Sequence, residues 1–142
     1  MIEIKNKKAY FDYTILESIE AGISLVGTEI KSIRKGSVDL KDTFITIKNN
    51  EAFILNMYIA KYEEGNIFNH DERRTRKLLL HKKEIKKLKE KVSTEGLTLI
   101  PLKLYFHKNH VKVLVGLCKG KKLYDKRASI KERDLKRETR YY

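Results

Sequence analysis

The strictest pattern in this 142-residue chain is the alternation of apolar and other residues over Val111–Leu117. A valine or leucine stands at every second position, which is typical of a β-strand with one buried face. Another apolar run, Leu97–Phe106, precedes it, and only a short turn at Lys108-Asn109 separates the two. The sequence therefore predicts a long hairpin, with Ile100, Leu102, Leu104 and Phe106 on one face. Pro101 predicts an edge or a bulge, because proline cannot donate to the ladder.

Further short strands are predicted upstream of this hairpin. Alternation from Phe11 to Ile19 predicts a strand with its odd positions buried, a bulge near Glu17 and a bend at Ala21-Gly22. Thr43–Lys48 and Glu51–Ile59 predict a hairpin, because Asn49-Asn50 tolerates the positive φ angles of a tight turn. We expect Phe53, Leu55, Met57 and Ile59 to line one face of its second strand. In the next strand Leu78 and Leu80 would point inward, and Leu79 would point outward with Lys77 and His81.

Two helices are predicted between the strands. Thr28 would cap a short helix over Glu29–Arg34, which Gly36 ends. Lys82–Ser93 carries a narrow apolar stripe among lysines, and Gly96 ends it. About seven strands with such insertions predict a mainly β fold: an OB-like closed or partly open antiparallel barrel with small helical insertions and a basic C-terminal tail. We expect one barrel domain over 1–127 and a tail over 128–142 that is disordered alone and helical on a partner.

The positive charge is concentrated in two segments. The formal net charge is +13, of which Arg73–Lys91 supplies ten cations less two anions (+8) and Lys119–Tyr142 ten less four (+6). The remainder therefore carries 13 − 14 = −1. Such clustering indicates a polyanionic partner, which is either nucleic acid or an anionic membrane surface. In Gly116–Arg127, three lysines surround Gly120 and Tyr124 follows, a combination suited to a phosphate backbone and a stacked base.

Other classes of function find less support in the sequence. One cysteine, Cys118, and a polar N-terminus predict a cytoplasmic protein without disulfides, signal peptide or membrane span. The four histidines do not fall at metal-ligand spacing, and no catalytic motif occurs, so we expect no enzyme activity, metal or cofactor. A generic OB-type single-strand binder remains an alternative, with Tyr10, Tyr58 and Tyr105 as its stacking rings. A nuclease using His81 or Glu20 is a third hypothesis, and a membrane-surface role is a weaker one.

Five stretches together resemble the small protein B family, the SsrA-binding proteins of bacterial trans-translation. They read NKKAYFDY, EAGISLVGTEIKSIRKGSVDLKD, NHDERRTRKLLLHKKEI, GLTLIPLKLYF and KGKKLYDKR, and they run from Asn6 to the tail. The resemblance implies an OB-like barrel that binds the tRNA-like domain of transfer-messenger RNA. It implies delivery of this RNA to stalled ribosomes, where the nascent chain is tagged and the ribosome is freed. It implies no catalytic activity and no cofactor, and we expect a monomer.

The resemblance also implies which residues contact RNA. The family contacts to the tRNA-like RNA fall on Asn6, Glu20, Leu79 and Lys112, to which we add the nearby cations Lys7, Lys8, Arg73, Arg74, Arg76 and Lys77. The segment at the ribosomal decoding centre corresponds to Gly120, Lys121, Lys122, Tyr124, Asp125, Lys126 and Arg127. In the tail, Lys131, Arg133, Lys136, Arg137 and Arg140 would lie on ribosomal RNA along the mRNA channel. The chain departs from the family in ending early, at Tyr141-Tyr142, which puts full tagging activity in question.

Overall fold

The computed structural model describes residues 3–63 and 69–121, which contain nine strands and three helices. In chain order the elements are β1 (Glu3–Lys5), α1 (Lys7–Asp12), β2 (Tyr13–Ile23), α2 (Gly27–Arg34), β3 (Val38–Asp39), β4 (Phe44–Lys48), β5 (Glu51–Leu55), β6 (Tyr58–Ile59), β7 (Arg76–Leu79), α3 (Lys82–Glu95), β8 (Thr98–His107) and β9 (His110–Gly120). No helix in these two ranges is long and apolar enough to cross a membrane. The predicted barrel boundary and the tail over 128–142 lie outside the described residues.

Six strands close into a ring through antiparallel pairings, in the order β8-β4-β5-β7-β2-β9 and back to β8. The strand β1 joins the ring along one edge of β8, and β3 pairs with β6 in a separate two-stranded sheet. The ring encloses the main core, in which Ile54, Met57, Ile59 and Val113 have no exposed surface. The prediction of a mainly β, antiparallel fold with small helices is therefore confirmed.

The long hairpin of β8 and β9 is confirmed, and it contains a bulge at Pro101. The strands pair from Thr98↔Cys118 to His107↔His110, and the register shifts between Pro101 and Lys103. An extra residue reverses which side chains face inward. Leu99 and Leu104 therefore both reach the main core, whereas Ile100 and Leu102 join a smaller cluster with Ala9 and Cys118. The prediction that Ile100, Leu102, Leu104 and Phe106 share one face is wrong for this reason.

The start of β2 differs from the prediction. Lys7–Asp12 forms α1, capped by Asn6, whose Oδ1 accepts from the Ala9 amide at 3.2 Å, so Phe11 lies on a helix. The predicted bulge near Glu17 is confirmed by a register shift between Ile15 and Glu17. The predicted bend at Ala21-Gly22 is wrong, because Gly22 pairs with strands on both sides and β2 continues to Ile23.

The β4–β5 hairpin has the predicted turn, but Phe53, Leu55, Met57 and Ile59 do not line one face. Asn49 and Asn50 have φ angles of 52° and 59°, as a tight turn requires. Ala52 and Ile54 are buried, and Phe53 and Leu55 are half-buried. Asn56, with φ of 65°, ends the strand and reverses the alternation, which brings Met57 and Ile59 inside.

Both main helices end where the glycines predict, at Gly36 with φ of 76° and at Gly96 with φ of 64°. The predicted Thr28 cap is wrong. The helix α2 begins at Gly27, and the Glu29 carboxylate accepts a hydrogen bond from the Val26 amide at 2.9 Å. Thr28 lies inside the first turn, where its hydroxyl bonds with Nδ1 of His70 at 2.8 Å.

Candidate nucleic-acid interface

Four strands bring Leu79, Gly22, Lys112 and Tyr105 into one line across the sheet. Gly22 of β2 is paired with Leu79 of β7 on one side and with Lys112 of β9 on the other. Lys112 is paired in turn with Tyr105 of β8. Directly paired residues share a face of the sheet. We call these four residues the outer row, because Val111 and Val113, on either side of Lys112, are buried in the core.

Leu79 is the most exposed large apolar side chain of the outer row. It is 53% exposed, whereas Leu78 beside it is 1% exposed, so the predicted outward orientation is confirmed. Gly22 makes room for it. A Cβ atom at Gly22 would lie 3.2 Å from the Cβ of Leu79, which is tighter than nine in ten real Cβ contacts. The side chain of Leu79 thus lies close to the backbone of Gly22. The surface there is shallow, and a flat ligand can cover it.

Glu20 lies two residues before Gly22 and therefore on the same face of β2. The hydroxyl of Tyr105 donates a hydrogen bond to Oε2 of Glu20. Partial burial, together with this bond and the charge of Glu20, raises the pKa of Tyr105 to about 12. The phenol stays protonated at neutral pH, and one carboxylate oxygen of Glu20 is fixed beside the outer row.

The basic segment 73–77 is divided between the interior and the surface. Arg76 has no exposed surface; it pairs with Glu29 through Nε, and its Nη1 donates to the carbonyl oxygen of Met57 at 2.7 Å. Arg74 Nη2 pairs with the same carboxylate at 2.7 Å and is partly exposed. Arg76 was predicted to bind phosphate, but its guanidinium is enclosed by the fold and faces no solvent. We therefore assign it a structural role.

Glu29 is the centre of this buried charge network. Its side chain has no exposed surface. Burial raises the pKa of the Glu29 carboxyl, but Arg74, the Val26 amide and Arg76 together outweigh burial and lower the pKa below its ordinary value of 4.5. The ionised carboxylate therefore joins α2 to β7, the strand that carries Leu79.

Arg73 and Lys77 present their charges at the surface. Nη1 of Arg73 donates to the carbonyl and side-chain oxygens of Asn56, both at 3.2 Å, and its guanidinium lies 5.4 Å from the ring centre of Tyr58. Lys77 forms an exposed ion pair with Glu51 at 3.3 Å. Both cations are accessible to an anionic partner.

The predicted residues at the N-terminus lie apart from the outer row. Asn6 is 7% exposed, its Nδ2 donates to the carbonyl of Pro101 at 2.9 Å, and its backbone amide donates to Leu102. Leu102 is three residues from Tyr105 along β8, a distance of about 10 Å. Lys7 is exposed, and Lys8 approaches Asp42 at 3.5 Å. Lys7 and Lys8 therefore form a second surface position outside the outer row, and Asn6 is buried beneath it.

The predicted ribosome-facing segment begins at the end of β9. Gly120 pairs with Tyr13, and the amide of Lys121 donates to the carbonyl of Asp12 at 3.0 Å. The remaining predicted residues, Lys122 to Arg127 and the tail cations up to Arg140, lie outside the described residues.

Cys118 and His70, which were considered for catalysis or metal binding, are buried in the fold. Cys118 has no exposed surface, and burial raises its pKa to about 11, so the thiol stays protonated. His70 is 6% exposed and bonds through both ring nitrogens, to Thr28 and to the carbonyl of Ile59. Within 3–63 and 69–121 no group of three or more histidine, cysteine or acidic side chains could hold a metal ion.

Sequence reasoning did not assign Gly22 to the site, and it considered Tyr105 only as a stacking ring. A signal for Tyr105 was present. A two-residue turn at Lys108-Asn109 pairs residues that are equally far from the turn on the two strands, which sets Tyr105 opposite Lys112. No comparable signal existed for Gly22, because its pairing with Leu79 joins strands far apart in sequence.

This chain is similar to proteins of one known family. The family model described as "SmpB protein" matches residues 3–141. The SsrA-binding protein of Carboxydothermus hydrogenoformans is 57% identical over 94% of this chain and 90% of its own. That of Staphylococcus epidermidis is 58% identical over 94% of this chain and 86% of its own. A solved structure described as "tmRNA-SmpB: a journey to the center of the bacterial ribosome" matches with a TM-score of 0.72 and 51% identity, over 85% of each chain.

Proposed function

We propose, since the chain belongs to the SmpB protein family, that it binds the tRNA-like domain of transfer-messenger RNA and delivers it to stalled ribosomes in the cytoplasm for trans-translation. One observation carries the RNA-binding half of this proposal. Glu20, Leu79 and Lys112 are far apart in sequence, and they meet on one face of the sheet through the pairings of Gly22. The sequence resemblance selects the same three residues.

The three side chains offer different chemistry to a folded RNA. Lys112 supplies a cation for a phosphate. The fixed carboxylate of Glu20 accepts a hydrogen bond from a ribose hydroxyl or a base edge, which distinguishes RNA from a simple polyanion. Leu79 lies above Gly22 and covers the flat surface of a base or sugar. Such a surface reads shape, since only a folded RNA presents all three partners together.

The nearby surface cations extend this site. Arg73 precedes β7, Lys77 lies on β7, and Lys7 and Lys8 lie on α1, so positive charge is also present at two positions outside the outer row. Asn6 acts through α1 as its cap, and we propose that it positions Lys7 and Lys8 rather than contacting RNA itself.

The proposed role is that of a binding factor and not of an enzyme. The thiol of Cys118 is enclosed and protonated, both nitrogens of His70 are engaged, and Glu20 is bonded to Tyr105. These groups have structural partners in place of the reactive arrangements that catalysis requires.

The second half of the proposal concerns the ribosome. Gly120, Lys121, Lys122, Tyr124, Asp125, Lys126 and Arg127 would lie at the decoding centre, and the tail cations would lie along the empty mRNA channel. The basic composition of 119–142, with ten cations and four anions, supports this division. Truncation after Arg127 should leave RNA affinity within a few-fold and abolish tagging of the nascent chain.

The decisive experiment compares binding of the full chain to a transfer-messenger RNA tRNA-like fragment and to an ordinary tRNA at two salt concentrations. We expect tighter binding to the fragment, with a difference that persists at higher salt because shape contacts are not screened. Equal affinities that fall together with salt would refute the proposal. That result would favour a generic single-strand binder, whose rings Tyr10, Tyr58 and Tyr105 lie here on three separate elements.

A further inference from the structure

A groove runs between α3 and the tip of the β4–β5 hairpin, next to the outer row. It has a volume of about 840 Å³, and the apolar side chains Leu78, Leu80 and Ile85 line it. Leu79 also contributes to its wall. The groove is therefore continuous with the outer row, and a ligand that covers Leu79 meets its entrance.

Four lysines surround the groove. Lys77 comes from β7, and Lys82, Lys86 and Lys89 come from α3. Residues spaced by four and three positions lie on the same side of a helix. The rise of 1.5 Å per residue separates Lys82 from Lys86 by about 6 Å and Lys86 from Lys89 by about 4.5 Å along the axis. The three helical lysines thus form a row of ammonium groups along one wall.

The charge of this row is not neutralised by neighbours. Lys82, Lys86 and Lys89 are exposed, and none of them forms an ion pair in the parts of the chain that the structure describes. Lys77 is paired with Glu51, which leaves Glu90 as the other acidic residue lining the groove. The lining therefore carries four cations less two anions, a net +2.

The opposite side of α3 has different electrostatics. A groove between α3 and the β2–β9 pair is lined by Glu17, Glu84 and Lys87, a net −1. There Lys91 is neutralised by both carboxylate oxygens of Glu17, at 2.7 Å. Among the residues described, the net positive charge next to Leu79 therefore lies on the side of α3 that faces the β4–β5 hairpin.

We propose that the basic groove binds the phosphate backbone of the same RNA that covers the outer row, at a point beyond Leu79. Lysine ammonium groups are compact point charges suited to phosphate oxygens. Asn49 and Asn50, on the opposite wall, add side-chain amides as donors. Charge complementarity and continuity with the outer row favour RNA over an acidic protein segment. This inference rests on the proposed function.

The test compares two double variants of the full chain that remove the same charge from the same helix. Lys86→Gln/Lys89→Gln alters the groove, and Lys83→Gln/Lys87→Gln is the matched control on the other side of α3. Lysine and glutamine have similar helix propensities, so both variants should fold, which circular dichroism checks. The affinity for the tRNA-like fragment is measured over a series of salt concentrations.

The groove variant should reduce the slope of log affinity against log salt by about 1.5, since each phosphate contact contributes roughly 0.7–0.9. The control should leave the slope unchanged, and Lys86→Arg/Lys89→Arg should retain it. Equal slopes for the two glutamine variants would overturn the inference and leave the proposed function intact. If the unmodified chain does not distinguish the fragment from ordinary tRNA, the proposed function fails, and this inference fails with it.

Discussion

Truncation of Leu79 to alanine tests directly whether the outer row touches RNA. Burial of a whole leucine side chain contributes roughly 1.5–3 kcal/mol. Leu79 is 53% exposed, so covering the exposed part should contribute about half of that, or about 1 kcal/mol. The dissociation constant for the tRNA-like fragment should therefore rise about fivefold.

Leu16 provides a matched control for this change. It is 50% exposed and lies on β2, six residues from Gly22 along the strand, a distance of about 20 Å. Leu16→Ala removes the same atoms at nearly the same exposure. We therefore expect a similar small loss of folding stability from both variants, measured by chemical denaturation, and a loss of RNA affinity from Leu79→Ala alone.

Fluorescence anisotropy with a labelled tRNA-like fragment measures both dissociation constants. If Leu79→Ala binds as tightly as the unmodified chain, or if Leu16→Ala weakens binding equally, the outer row is not the contact surface. A loss far above tenfold would also contradict the reasoning, because the exposed half of one leucine cannot supply it.

Three further predictions concern the buried pair of Glu29 and Arg76, the close packing of Gly116 against Leu102, and the bond between Glu20 and Tyr105. Glu29→Gln should cost about 3–5 kcal/mol, because it leaves Arg76 buried without its counter-charge. The folded-state pKa of Glu29 is lowered, so its contribution to folding stability is present above the unfolded-state pKa and is lost as the pH falls through the folded-state pKa. Glu29→Gln should therefore also flatten the acid-unfolding profile below about pH 4.5, measured by circular dichroism. Gly116→Ala would place a Cβ 2.7 Å from buried Leu102 and should lower the free energy of unfolding by about 1–3 kcal/mol, measured by chemical denaturation. In a double-mutant cycle, Leu102→Ala should remove most of this loss. Glu20→Gln should lower the pKa of Tyr105 from about 12 part of the way to 10 in an NMR titration, because burial remains; an unchanged value would contradict the bond between them.

Much of the fold could be predicted because its signals are local. The turns at Asn49-Asn50 and Lys108-Asn109 and the glycine ends of two helices depend on residue types that tolerate positive φ. The outward orientation of Leu79 followed from alternation along a short strand. The mainly β class followed from the number of such strands.

The errors arose where a single residue changed the alternation or where distant strands met. The bulge at Pro101 and the positive φ of Asn56 each reversed which side chains are buried. Whether such a residue reverses the alternation depends on the strand with which its own strand pairs. Arg76 was assigned to phosphate because its partner Glu29 lies 47 positions away, on a helix that only the tertiary structure brings against β7. Charge alone did not distinguish an internal cation from a surface one.

The continuity of β9 has a consequence for how the two ends of the molecule act together. Lys112, in the outer row, and Gly120, where the described chain leaves the sheet, belong to the same strand, and β2 pairs with both. Eight residues of extended backbone span about 26 Å. Because β9 is continuous between them, it fixes the distance from Lys112 to Gly120. An RNA bound at Lys112 therefore fixes the position of Lys121 and the direction in which β9 ends.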